Sequence, residues 1–134
     1  MTDLERVSLG MGERPALLVV DMINGFTDAD CPLGCDCPEV VAANVQLIDA
    51  FHAANLPVVF TTVVYHSVGQ ARVFRDRIQA LELLTPDSDW VRVDARLDMR
   101  EDDILVEKQW ASAFHKTDLD DQLRELKVDS LVVT

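Results

Sequence analysis

The chain has 134 residues, with 24 acidic against 12 basic side chains and a formal net charge of -12. That length suits one domain with a substantial core, and 49% hydrophobic residues is ordinary for a globular protein. The negative field repels phosphate backbones and anionic lipid surfaces, so neither nucleic acid nor a membrane is expected as a partner.

The N-terminal MTDLERVSLG lacks the basic and apolar regions of a secretion signal, so a cytoplasmic location is expected. VSLGMGERP reads as a polar entry segment, and Pro15 opens a first strand, ALLVV. That strand does not alternate, as expected where both faces are covered. Asp21 follows it directly, then Asn24 and Gly25. The loop after the strand carries Cys31, Cys35 and Cys37 in CPLGCDC. An odd number of cysteines without a secretion signal argues against a disulfide framework. Their spacing fits zinc-ribbon pairs poorly, so reduced thiols in a loop are expected.

EVVAANVQLIDAFHAAN then places Val41, Val45, Ile48 and Phe51 at helical spacing, and Asn55 and Pro57 end the helix. PVVFTTVVY is a second apolar, β-branched strand. Residues 66–100 give no clear period; a short helix and an excursion across the surface are expected there. DDILVEK is a third strand. TDLDDQLRELK is a helix with Leu119, Leu123 and Leu126 on one face, and its charges follow the helix dipole. VDSLVVT is a fourth strand. This alternation predicts an α/β domain, a doubly wound parallel sheet with helices on both faces. A last strand with no element after it reads as incomplete, so residues 1–134 are expected to be the N-terminal part of a single domain.

Ligands of open parallel sheets bind beyond the carboxyl ends of the strands. Those ends hold Asp21, then Tyr65 and His66, then Glu107 and Lys108, then Thr134. An acid and a lysine on one rim are also compatible with a plain surface ion pair. A magnesium-dependent phosphoryl-transfer site wants a second carboxylate beside Asp21, and the neighbours are Val20, Met22 and Ile23. Neither a Gly-rich phosphate loop nor a GxSxG elbow occurs in the chain.

ALLVVDMINGF, the Pro-Leu-Gly loop and EKQWASAF together resemble the isochorismatase-like cysteine hydrolases, from Pro15 to Thr134. DMINGF and the Pro-Leu-Gly loop are most similar to the N-carbamoylsarcosine amidase and maleamate amidohydrolase branch. The resemblance implies a three-layer α/β/α fold and an Asp, Lys and Cys catalytic set. Asp21 matches the acid, and Lys108, four residues before Ser112-Ala113-Phe114, matches the lysine. The family nucleophile lies in the loop after the fourth strand, beyond residue 134, and none of the three cysteines present matches it. The implied reaction is hydrolysis of a C–N amide bond in a small carboxylate-bearing substrate, releasing ammonia through a thioacyl intermediate. Asp21 accepts the thiol proton, and Lys108 holds acid and thiolate electrostatically.

The nicotinamidases of this superfamily bind a metal after the second strand, where this chain has only His66. No metal and no other cofactor is therefore expected. Arg72, Arg75 and Arg77 read either as a solvated basic helix face or as partners of a substrate carboxylate. Phe26 and Trp110 are candidate apolar walls of the substrate site. A homo-oligomer is expected from the resemblance. Two other readings stay open: an isochorismatase-type vinyl-ether hydrolase, and an inactive hydrolase-like domain used for binding or assembly.

Overall fold

The computed structural model describes residues 10–134, so MTDLERVSL, with the start of the entry segment, lies outside the described residues. The elements follow in order: β1 (Pro15–Val19), α1 (Asn24–Thr27), α2 (Pro38–Ala53), β2 (Val58–Val63), α3 (Arg72–Arg77), β3 (Ile104–Lys108), α4 (Leu119–Glu125) and β4 (Ser130–Val133). Short 3-10 turns at Gln79–Leu83, Asp89–Val91 and Ala95–Leu97 connect α3 to β3.

The four strands form one parallel sheet in the order β3-β2-β1-β4. The chain moves outward from β1 to β3, then returns to the other side of β1, which is the doubly wound pattern. Period-two alternation sends side chains to opposite faces. Leu17, Val19, Val58 and Phe60 pack against Val41, Ile48 and Phe51 of α2. Ala16, Leu18, Val59 and Val106 pack against Leu119 and Leu123 of α4. This double cover explains why β1 is apolar throughout and β2 is apolar but for Thr61 and Thr62; every residue of both is buried.

α2 starts with Pro38 in its first turn, has Glu39 beside it and His52 in the last turn, as the dipole favours. Asn55 adopts a left-handed φ of 54° where the helix ends. On its buried face Asn44, rather than Val45, is fully covered. Its side chain donates to Val40 O and accepts from Thr134 Oγ1 at 3.0 Å, which stitches α2 to the end of β4.

Residues 66–100 are more than a surface excursion. Leu81, Leu84 and Val91 join Ile23, Val63, Val64, Tyr65 and Ala71 in a satellite core over the carboxyl rim of the sheet. The 3-10 turns that bring them there lack the 3.6-residue period, which is why their burial does not show as a pattern. The segment is locked to the loop after β1: Asn24 N donates to Arg92 O and Asp94 N to Met22 O, both at 2.9 Å. Among the described residues no helix is long and apolar enough to cross a membrane.

Candidate active site

Beyond β1 the backbone turns sharply. Asp21 sits at φ 57°, in the left-handed region, where an ordinary L residue costs about 1–2 kcal/mol and Asp is among the better tolerated. The neighbouring β2 compensates this turn. Asp21 N–H donates to Thr61 Oγ1 at 3.0 Å, and the Thr61 hydroxyl donates back to Asp21 Oδ1 at 2.8 Å. The other carboxylate oxygen, Oδ2, lies 3.0 Å from Lys108 Nζ.

Lys108 ends β3 on the same face as Val106, and the register places it beside Val63. It is only 2% exposed. A buried ammonium needs partners, and this one has the Asp21 carboxylate and Ala111 O, to which it donates at 2.7 Å. Asp21 keeps 23% of its side-chain surface exposed, so the pair is closed on the lysine side and open on the acid side. Chemically, this is an acceptor that can take a proton from an incoming group, next to a fixed cation that stabilises an anion formed there.

The Isochorismatase domain profile matches residues 15–134. The chain belongs to the isochorismatase family. It is 33% identical over 133 residues to the N-carbamoylsarcosine amidase of an Arthrobacter species, covering 94% of this chain and 50% of that protein. It is 29% identical over 143 residues to the maleamate amidohydrolase of Pseudomonas putida, covering 93% and 60%. A cysteine hydrolase structure from Pseudomonas syringae superposes with a TM-score of 0.82 at 28% identity, over 90% of this chain and 58% of that one. The chain thus spans between about half and three-fifths of the length of these relatives.

The other rim residues of this isochorismatase-family chain separate into distinct surroundings. Glu107 points outward from β3 and pairs with His66 at 3.0 Å, both about half exposed. Tyr65 turns inward and is 4% exposed. Its hydroxyl is pushed up from its ordinary pKa chiefly by burial, with Arg75 opposing and Asp21 adding to the rise. Of the three cysteines, Cys31 is buried, Cys37 half-buried and Cys35 exposed, and all are free. None of their thiols hydrogen-bonds to Asp21 or Lys108 among the described residues; Cys35 instead faces Phe26 O. The Pro-Leu-Gly loop that holds them requires its glycine, since a Cβ on Gly34 would lie 2.0 Å from Asp28 O.

Phe26 and Trp110 both pack, partly exposed, at the margin of the satellite core. Trp110 also meets His115 edge-on and lies 4.6 Å below Lys116 Nζ. Arg72 is exposed, paired with Asp76 at 3.0 Å, and shares an apolar hollow of about 380 Å³ with Ala71, Val73, Phe74 and Trp110. Arg75 corrects the picture of a solvated basic face: it is 5% exposed. Its guanidinium donates to Ser67 O, Val68 O and Gln70 O and pairs with Glu82. Those bonds use its planar donors on the chain itself. α3 is six residues long, too short for a helical period to show which arginine turns inward.

Two pairings escape sequence reading because their partners are far apart along the chain. His52 bonds both oxygens of Asp103 at 2.9 Å, beside a cleft of about 280 Å³ that also includes Arg14, Arg100 and Pro57. That cleft borders the amino ends of β2 and β3, away from Asp21. Thr61 is the other. The signal for it was the Thr61-Thr62 pair in an otherwise apolar strand, because buried hydroxyls must find partners. Thr62 finds Val91 O on the opposite face.

Proposed function

We propose that the full-length protein hydrolyses the C–N amide bond of a small carboxylate-bearing substrate and releases ammonia. The observation that carries this reading is the buried Lys108 held 3.0 Å from the half-open Asp21 carboxylate, at the two positions that match the family's acid and lysine. The nucleophile is the cysteine that the family resemblance places after β4. β4 pairs directly with β1, and Val20 N–H donates to Thr134 O at 2.8 Å, so a loop leaving β4 starts beside Asp21.

In this mechanism Asp21 takes the thiol proton as sulfur attacks the amide carbon, and Lys108 stabilises the thiolate. Backbone N–H groups around the nucleophile receive the oxyanion. Asp21 then returns the proton to nitrogen as the C–N bond breaks and ammonia leaves. Water, deprotonated by Asp21, cleaves the thioester to a carboxylic acid and regenerates the thiol. Arg72, exposed in the hollow beside Trp110, is the arginine best placed for a substrate carboxylate, with Trp110 and Phe26 as apolar walls. Arg75 supports the loop instead.

The test is ammonia release by the full-length protein from a panel of small amides that includes maleamate and N-carbamoylsarcosine. Turnover that is lost on thiol alkylation supports the reading. Pyruvate release from isochorismate with no amide turnover supports vinyl-ether hydrolysis, and inactivity on both supports a binding domain.

A further inference from the structure

We propose that Thr61 is a positioning residue for the Asp21 carboxylate, and that its hydroxyl, rather than Lys108 alone, determines which way the acid faces. The inference rests on the amidohydrolase reading only for its effect on turnover.

A threonine hydroxyl has one proton to donate and lone pairs to accept with. Thr61 directs both to the same residue. It accepts Asp21 N–H at 3.0 Å and donates to Asp21 Oδ1 at 2.8 Å. The residue is 1% exposed, so water does not compete for either bond. Its β-branched side chain also has few rotamers in a strand, so the hydroxyl is already aimed before Asp21 arrives.

The register explains why this position can serve. Val19 lies opposite Phe60 at the end of β1, which brings the turn at Asp21 alongside Thr61. Thr61 lies opposite Val106, two residues before Lys108 on the same face of β3. Hydroxyl and ammonium therefore approach the carboxylate from neighbouring strands and divide its oxygens, Oδ1 to Thr61 and Oδ2 to Lys108. With only the Lys108 contact, the carboxylate is free to rotate about its own Cβ–Cγ bond. The second contact removes that freedom, and the hydrogen bond from Asp21 N–H to Thr61 Oγ1 holds the left-handed backbone beneath it.

Valine is the isosteric test, since it keeps the branch and removes both hydrogen bonds; serine restores the hydroxyl. The full-length Thr61→Val, Thr61→Ser and Thr61→Ala proteins are compared for kcat and KM on an amide that the wild type hydrolyses. The ¹³C resonance of the Asp21 carboxyl carbon is recorded on each at one pH. The expected result is a kcat lower by roughly tenfold or more in Thr61→Val, with KM little changed, because misplacement of a reacting group falls on turnover. Thr61→Ser recovers most of the loss, and the Asp21 resonance moves in the valine variant but not in the serine variant. If Thr61→Val does not fold, Thr61→Ala carries the same comparison. Wild-type kcat together with an unmoved Asp21 resonance in a folded valine or alanine variant overturns the proposal. A raised KM with unchanged kcat also overturns it. A moved resonance in a protein that hydrolyses no amide supports the clamp and contradicts the amidohydrolase reading.

Discussion

The guanidinium carbon of Arg75 lies 4.5 Å above the ring centre of Tyr65, and the two side chains share an unusual debt: neither Tyr65 Oη nor Arg75 Nε has a hydrogen-bond partner among the described residues. The cation–π contact belongs to the ring face and owes nothing to the hydroxyl. A buried hydroxyl without a partner costs free energy that a hydrogen atom in its place does not. Tyr65→Phe is therefore expected to keep or raise stability, by on the order of 1 kcal/mol. Urea unfolding of the two proteins checks it, and a clear loss of stability counts against this account of the site.

Arg75 itself predicts the opposite sign. Three loop carbonyls and Glu82 depend on its planar fork, which an ammonium cannot reproduce. Arg75→Lys is expected to destabilise by about 2 kcal/mol, given that bonds to charged groups are worth about 1.5–3 kcal/mol. Faster hydrogen exchange confined to residues 66–72 is the local signature of that loss.

Asp94 gives a pH dependence with a definite direction. The residue is 4% exposed, and its carboxyl is held down from 3.8 to about 2, first by the side-chain bonds from Arg96, against an opposing push from burial. Thr27 Oγ1 donates to it at 2.7 Å. A depressed native value means the unfolded chain binds the proton first as pH falls. The stabilisation is thus fully present above about pH 4 and is lost as pH falls towards 2. It amounts to roughly 2 kcal/mol. Asp94→Asn should be less stable at neutral pH and should show a flatter stability curve between pH 4 and 2. An unchanged curve would remove Asp94 from this role.

How much of this could be read from the chain varies by element. β1 and β2 are legible because a strand covered on both faces is mostly apolar, and their runs of Leu, Val and Phe say so. Lys108 and Asp21 are legible as strand-end residues on one rim of a parallel sheet, but their meeting across β2 also depends on the strand order and on the turn at Asp21. The left-handed turn at Asp21 was not legible, since Asp is common in many turn types. In the sequence Thr61 is an ordinary β-branched strand residue, because its partner Asp21 lies 40 positions earlier. The satellite core was hidden for a different reason: Leu81, Leu84 and Val91 are placed by short 3-10 turns and by bonds to the loop after β1, which leave no period to detect.

Lys108→Met removes the buried charge while filling nearly the same space. Removing one partner of a buried ion pair costs about 3–5 kcal/mol when the charge left behind stays buried, a cost that the 23% exposure of Asp21 and its two bonds to Thr61 reduce. The variant is expected to fold with a stability loss no larger than about 3 kcal/mol, the low end of that range. Its amide turnover in the full-length protein should fall by at least ~10²-fold, the scale of losing one electrostatic stabiliser. Wild-type turnover in the folded variant would contradict the role given to the lysine.

The most direct measurement is ammonia release by full-length Asp21→Asn against wild type, on an amide that the wild type hydrolyses. Asparagine keeps the size of the side chain and can still meet Thr61, but it cannot accept the thiol proton. General acid–base groups typically contribute ~10²–10⁴-fold, so turnover should fall by at least ~10²-fold in a variant whose far-ultraviolet spectrum stays close to wild type, while loss of the counter-charge of the buried Lys108 lowers its unfolding midpoint. A folded Asp21→Asn protein that releases ammonia at near wild-type rate would contradict the assignment of Asp21 as the proton acceptor, and with it the mechanism built on the Asp21–Lys108 pair.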